Sequence, residues 1–164
     1  MKRGFTLIEL LLYVGIVAIM IGVIAATLNS LLEARVKNQT RAEVEQQGAQ
    51  VMELMLQTAR NATAINSPAA GSSSATLSLK QASSAADPTV FDLASGALRI
   101  TEGTSEPLAI TNDQVTVSSL TIENLSPPST HGTVRITLLL NHINPSNRTE
   151  YNISEKFYGS ATLH

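Results

Sequence analysis

The chain changes character along its length. From Leu10 through Leu32 no charged residue appears, a run long enough for a helix to cross the hydrocarbon core of a bilayer. Lys2 and Arg3 precede it, and basic residues ahead of an apolar run predict a cytoplasmic N-terminus, with the rest of the chain outside. Glu9 stands at the start of the run. An uncompensated carboxylate at membrane depth costs about 2.5 kcal/mol or more, so this residue calls for a partner. Ala18, Gly22 and Ala26 recur every four residues and, with Gly15, form a small-residue ridge suited to close helix packing. Gly and Ala are also common in membrane helices at large, and the two readings stand side by side.

Past Asn29 the pattern turns amphipathic but stays helical, and no proline interrupts it before Pro68. Val44, Val51, Met55, Ala59 and Ala62 recur at helical spacing, while Arg41, Glu45, Gln46 and Gln50 fit the other face. Glu33 with Lys37, and Arg41 with Glu45, have the spacing of helical charge pairs. The helix is expected to reach about Ile65, ended by Asn66, Ser67 and Pro68.

"SPAAGSSSA" then reads as a loop, and short strand-like segments follow between turn residues. These are "ATLSLK", "TVFDLA", "ALRIT", "QVTVSS", "LTIENL", "TVRITLLL" and "TEYNISEKF". The second and third are expected to pair as a hairpin about Ser95 and Gly96, the last two across "NHINPSNR". "SLKQASSAADP" reads as an irregular connection. Alternating apolar and polar positions predict a sheet with one face on a core, and the apolar stripe of the long helix is the natural cover for that face. The expected fold class is α+β, a long N-terminal helix packed on a small antiparallel sheet domain.

Composition removes several kinds of chemistry. The 164 residues include no cysteine, which excludes disulfides, thiolate metal sites and cysteine nucleophiles. A net charge of −2 with scattered Lys and Arg offers no basic stripe for phosphates, so direct nucleic-acid binding is not expected. His131, His142 and His164 lack metal-ligand spacing and read as exposed loop residues. There is no G-x-S-x-G elbow and no phosphate loop, and Asp87, Asp92, Asp113 and Glu123 are too dispersed for paired catalytic carboxylates. No catalytic residue, metal ligand or cofactor-binding residue is therefore assigned. N-x-[ST] matches such as those at Asn38, Asn61, Asn147 and Asn152 arise readily in a chain rich in Asn, Ser and Thr.

"KRGFTLIEL" followed by the apolar run resembles the class III leader of type IV pilins and type II secretion pseudopilins. The resemblance joins a short basic leader, Gly4, Phe5, Thr6-Leu7-Ile8 and Glu9 to a membrane-length helix. It implies cleavage between Gly4 and Phe5 by a prepilin peptidase, which also N-methylates Phe5, and no cofactor. Glu9 matches the acidic position that, in the family, pairs with the N-terminal amine of a neighbouring subunit. Two opposite charges in a low-dielectric helix bundle attract strongly once assembly brings them into register.

The family resemblance divides the chain into a leader (1–4), a transmembrane and filament-core helix (5–32), an amphipathic extension (33–66) and a strand-rich globular domain (67–164). The chain lacks both the helix proline of many major pilins, with Ala26 at the expected place, and their C-terminal cysteine pair. Both absences point to a minor subunit, similar in outline to the J-like pseudopilins and W-like minor pilins.

The implied function is that of a filament subunit for adhesion, motility or DNA uptake, or of a secretion pseudopilus. Its partners would be other pilin or pseudopilin subunits, the peptidase and methyltransferase, the inner-membrane assembly platform and membrane lipid. It would wait in the bacterial inner membrane with its N-terminus cytoplasmic, then pass into a periplasmic or cell-surface filament. Two other classes compete. One is a binding module tethered by an uncleaved helix. The other is a secreted hydrolase released by signal peptidase near "AAT" at Ala25 to Thr27, for which no catalytic set is found.

Overall fold

The computed structural model describes residues 6–127 and 132–163. The chain forms two compact units, Met1–Gln39 and Thr40–His164. One helix, α1 (Leu7–Arg60), supplies the regular structure of the first unit and enters the second. Among the described residues nine strands follow it: β1 (Ala64–Ser67), β2 (Ser73–Ser74), β3 (Leu77–Lys80), β4 (Thr89–Ala94), β5 (Ala97–Glu102), β6 (Leu108–Ala109), β7 (Val115–Asn124), β8 (Thr133–His142) and β9 (Ser154–Thr162). This is the expected α+β class, with the strands divided between two antiparallel sheets. The first has the order β1-β3-β4-β5-β6 and the second β2-β7-β8-β9.

Within the second unit, α1 buries Thr40, Val44, Gly48, Val51, Met52, Met55, Leu56 and Ala59. Their spacing of three and four residues makes one continuous stripe. The stripe shares a core with Leu77, Leu79, Phe91 and Leu98 of the first sheet and Ile122, Ile136, Leu138 and Leu140 of the second. Burying each such side chain contributes about 1.5–3 kcal/mol, so this core stabilises the unit without disulfides. On the helix rim Arg41 donates to Glu45 at 2.7 Å and meets Glu155 of β9 at 3.2 Å. The hydrogen bond to Glu45, then the charge of Glu155, raise the Arg41 pKa above its ordinary value.

The helix stops at Arg60, short of the expected Ile65. Thr63 donates its backbone N–H to the carbonyl of Lys80 at 2.8 Å, and its hydroxyl reaches the same oxygen at 3.1 Å. Ala64–Ser67 then pairs with β3. A strand partner later in the chain thus takes backbone groups that a further helical turn would have used, a competition that periodicity alone does not register.

The β4–β5 hairpin turns at Ser95 and Gly96, both at positive φ (52° and 78°), the backbone of a two-residue hairpin turn. "QVTVSS" and "LTIENL", expected as two segments, form the single strand β7, whose register shifts between Val117 and Ser119. Such a bulge restores the core face after the alternation breaks at Ser118 and Ser119. The "SPAAGSSSA" segment is held by Asn124, which is buried. Its Nδ2 donates to the Pro68 carbonyl at 2.7 Å, and its Oδ1 accepts from the Ser126 backbone at 3.0 Å.

Candidate assembly site

Thr6 opens the described part of α1, accepting at its carbonyl from the backbone N–H groups of Glu9 (3.1 Å) and Leu10 (3.2 Å). Glu9 lies in the first turn with its side chain exposed. A carboxylate there complements the helix dipole by about 0.3–1 kcal/mol. That gain falls short of the about 2.5 kcal/mol or more that the same charge costs at membrane depth. Helix capping alone does not account for the residue.

Beyond Glu9 the helix is apolar around its circumference. Its most apolar 18-residue window has a mean hydropathy of 2.7, and none of that window is buried within the chain. Leu7 and Ile19 are 83% and 70% exposed. Thr27 returns its hydroxyl to the Val23 carbonyl at 2.8 Å, so this polar group is satisfied inside the helix, as a bilayer requires. A β-carbon added at Gly15 or Gly22 would meet nothing within 4 Å. Close packing inside the chain therefore gives no reason for glycine at either position.

Gly15, Ala18, Gly22 and Ala26 fall on one helix stripe. At 100° per residue Glu9 lies roughly 135° around the helix from the middle of that stripe. The acid and the small-residue ridge thus occupy different faces, and one helix offers two unlike surfaces. Gly4 and Phe5, the expected cleavage and methylation positions, lie outside the described residues.

His142 corrects the expectation of an exposed loop histidine. It ends β8 opposite Val115, on the core-facing side, and its side chain is only 6% exposed. Its ring stacks on Tyr151 at 5.5 Å, and Nε2 is 3.5 Å from a carboxylate oxygen of Glu43 on α1. Strand pairing carries Leu140 and His142 to the same face, a relationship hidden by the turn-like residues after His142. His131 and His164 lie outside the described residues. Among the described residues no group of three or more His, Asp or Glu could hold a metal ion.

These features define a class: an α+β protein whose N-terminal helix is long and apolar enough to cross a membrane and carries Glu9 in its first turn. Residues 1–25 match the family model for the prokaryotic N-terminal methylation motif. The match supports a class III prepilin leader at this N-terminus, of the kind carried by type IV pilins and pseudopilins. No curated protein and no solved structure matches it. A leader of this kind implies processing by a prepilin peptidase and assembly with other pilin subunits. Before assembly, the apolar helix anchors the precursor in the membrane.

Proposed function

We propose that this chain is a minor subunit of a type IV pilus-like filament serving adhesion, motility or DNA uptake. Cleavage between Gly4 and Phe5 and methylation of Phe5 leave the apolar helix on the mature subunit. The N-terminus faces the cytoplasm before extraction, and the Thr40–His164 unit stays outside the filament core. Glu9 pairs with the Phe5 amine of a neighbour, and Gly15, Ala18, Gly22 and Ala26 admit a second neighbour on another face. A contact in which two different faces meet repeats head to tail, and builds an open filament where its rotation does not close a ring. The observation that carries this reading is the methylation motif at residues 1–25 leading directly into an apolar helix with Glu9 in its first turn.

A J-like pseudopilin of a periplasmic secretion pseudopilus is the second reading, favoured by an α1 that runs from Leu7 to Arg60 with no proline. The assembly chemistry is the same in both. Mass spectrometry of the mature N-terminus tests the shared part: an N-methylated Phe5 is expected. A chain still beginning at Met1 would reject both readings in favour of a tethered binding module. Gly4→Ser should leave the precursor uncleaved, and cleavage at the normal rate would remove Gly4 from the site.

A further inference from the structure

The two sheets protect their edges unequally. Strands β2 and β6 are two residues long, and β1 has four with a register shift between Ile65 and Ser67. Where β7 extends past β2, Val117 gives its N–H to the Gly96 carbonyl at 2.7 Å. Short strands, shifts and cover of this kind keep sheet edges from recruiting other strands. The remaining edge, β9, has none of them. It runs for nine residues, pairs with β8 without a shift and contains no proline.

The pairing identifies the backbone groups on its open side. His142 gives its N–H to the Ile153 carbonyl, and Leu163 to the Gly132 carbonyl, each at 3.0 Å. Hydrogen-bonded pairs alternate along an antiparallel ladder, so the odd-numbered residues of β9 bond to β8. Ser154, Lys156, Tyr158, Ser160 and Thr162 therefore turn their N–H and C=O groups outward. Among the described residues nothing bonds to these groups. All five residues are exposed, Tyr158 at 66%. Their side chains share the sheet face opposite Phe157 and Gly159, which pack toward α1.

Lys156 is the charged residue of that row. Among the described residues it pairs with no carboxylate, and its ammonium lies 5.4 Å from the centroid of the Tyr158 ring. A lysine on an edge deters basic and apolar strands, whereas an acid across from it turns the same charge into an attraction. A second copy of β9 fits poorly. Paired antiparallel, it would reverse the helix packed on the sheet and so oppose a common membrane anchor. Paired parallel in register, it would set one Lys156 beside the other.

We propose that the open edge of β9 takes up an extended segment of a different protein by antiparallel strand addition. Main-chain hydrogen bonds to the outward groups supply affinity, and alternate side chains supply selectivity. Because the incoming strand runs opposite to β9, the residue facing Tyr158 comes two places before the residue facing Lys156. The segment recognised therefore reads apolar-x-acid, with a β-branched side chain against Tyr158 and a carboxylate beside Lys156. The edge belongs wholly to the Thr40–His164 unit, so binding does not depend on whether the chain polymerises.

The test is amide NMR with hydrogen exchange on the full chain in zwitterionic detergent micelles. The probe is the peptide acetyl-Thr-Thr-Val-Thr-Glu-Thr-Thr-amide, with one control carrying lysine for its glutamate and another proline for its valine. In the free chain the amides of Lys156, Tyr158 and Ser160 should exchange at least ten-fold faster than those of Phe157 and Gly159. The probe should shift β9 amides saturably below about 5 mM, a weak peptide affinity, and slow exchange at Lys156, Tyr158 and Ser160 ten-fold or more. Neither control should do so. Tyr158→Pro removes one outward donor and leaves the β8 ladder whole, which an edge strand tolerates, and it should abolish the response. Should that variant fail to fold, Lys156→Glu makes the test by charge exchange, losing the glutamate peptide and gaining the lysine peptide. The proposal is overturned if the probe does not saturate, if the lysine control binds the parent chain as well, or if Lys156→Glu leaves the preference unchanged. It is equally overturned if the same three amides become protected when the chain alone is concentrated, since the occupant would then be a second copy.

Discussion

The ring of Phe157 on β9 occupies the space that a side chain on Gly48 of α1 would need. A β-carbon built on Gly48 would lie 2.1 Å from Cζ and 2.2 Å from Cε2 of that ring. Glycine in a helix interior costs about 1 kcal/mol relative to alanine, so propensity alone favours Gly48→Ala. Overpacking a tight contact costs about 1–3 kcal/mol, and here the ring backs onto the core. Gly48→Ala is expected to destabilise the Thr40–His164 unit by about 1–2 kcal/mol net. Urea unfolding of the full chain in detergent, followed by circular dichroism, measures the change. Adding Phe157→Leu should recover part of the loss, and a more stable Gly48→Ala protein would refute the account.

Gly159, also on β9, makes the complementary close approach. Its added β-carbon would lie 2.7 Å from Met52 Sδ and 2.9 Å from Leu56 Cδ1. These atoms are the ends of flexible side chains, and methionine in particular adapts to altered space. Gly159→Ala should therefore destabilise less than Gly48→Ala, by under about 1.5 kcal/mol. The same unfolding measurement gives the order of the two variants, and the reverse order would show that β9 moves as a rigid strand.

How far these contacts could be read in advance depends on what kind of pattern carries them. Val44, Val51, Met55 and Ala59 announce the buried helix stripe because a helix repeats locally, and all four are in the core. The β4–β5 hairpin was legible for the same reason, since Ser95 and Gly96 join two strands adjacent in sequence. Gly48 falls on the same stripe, but Phe157 lies more than a hundred residues away, so nothing local shows that this position must stay without a side chain. The two-residue strands β2 and β6 exist only through pairing with β7 and β5. His142 was misread because its burial comes from Glu43 and Tyr151, neither of which its neighbours in sequence reveal. In the assembly helix the residue types were visible at once, while the separation of Glu9 from the small-residue stripe needed helical geometry.

Asp92 and Arg99 stand opposite each other in the β4–β5 hairpin. Arg99 donates through Nε to Oδ1 at 3.0 Å and through Nη2 to Oδ2 at 2.5 Å. The hydrogen bond to Asp92 is the main cause of a raised Arg99 pKa. Lysine cannot reproduce the two-pronged contact. Yet both side chains are about one-third exposed (32% and 31%), so solvent screens the pair and its contribution is small. Arg99→Lys should lower the melting temperature slightly at low salt. The difference should vanish near 1 M salt, where the screening length is about 3 Å. A difference that persists in salt would mean that Arg99 acts through packing of its stem.

Glu9 gives the sharpest test of polymer assembly. Replacing it by alanine or valine removes a charge that is costly at membrane depth and gives up only the small dipole contribution of a first-turn acid. Membrane fractionation should therefore find the Glu9→Val protein anchored at least as well as the parent. In the proposed filament the carboxylate meets a neighbour's amine, and at an effective dielectric of about 20 two charges 4 Å apart attract by about 4 kcal/mol. Loss of even about 1.4 kcal/mol lowers an equilibrium tenfold. Incorporation into sheared filaments should then fall ten-fold or more while the membrane pool is maintained. Gly15→Leu or Gly22→Leu should also impair incorporation, because each crowds the other face of the helix and leaves the charge in place. Glu9→Val protein found in filaments at the parent level would remove Glu9 from the assembly contact, whatever the small-residue variants do.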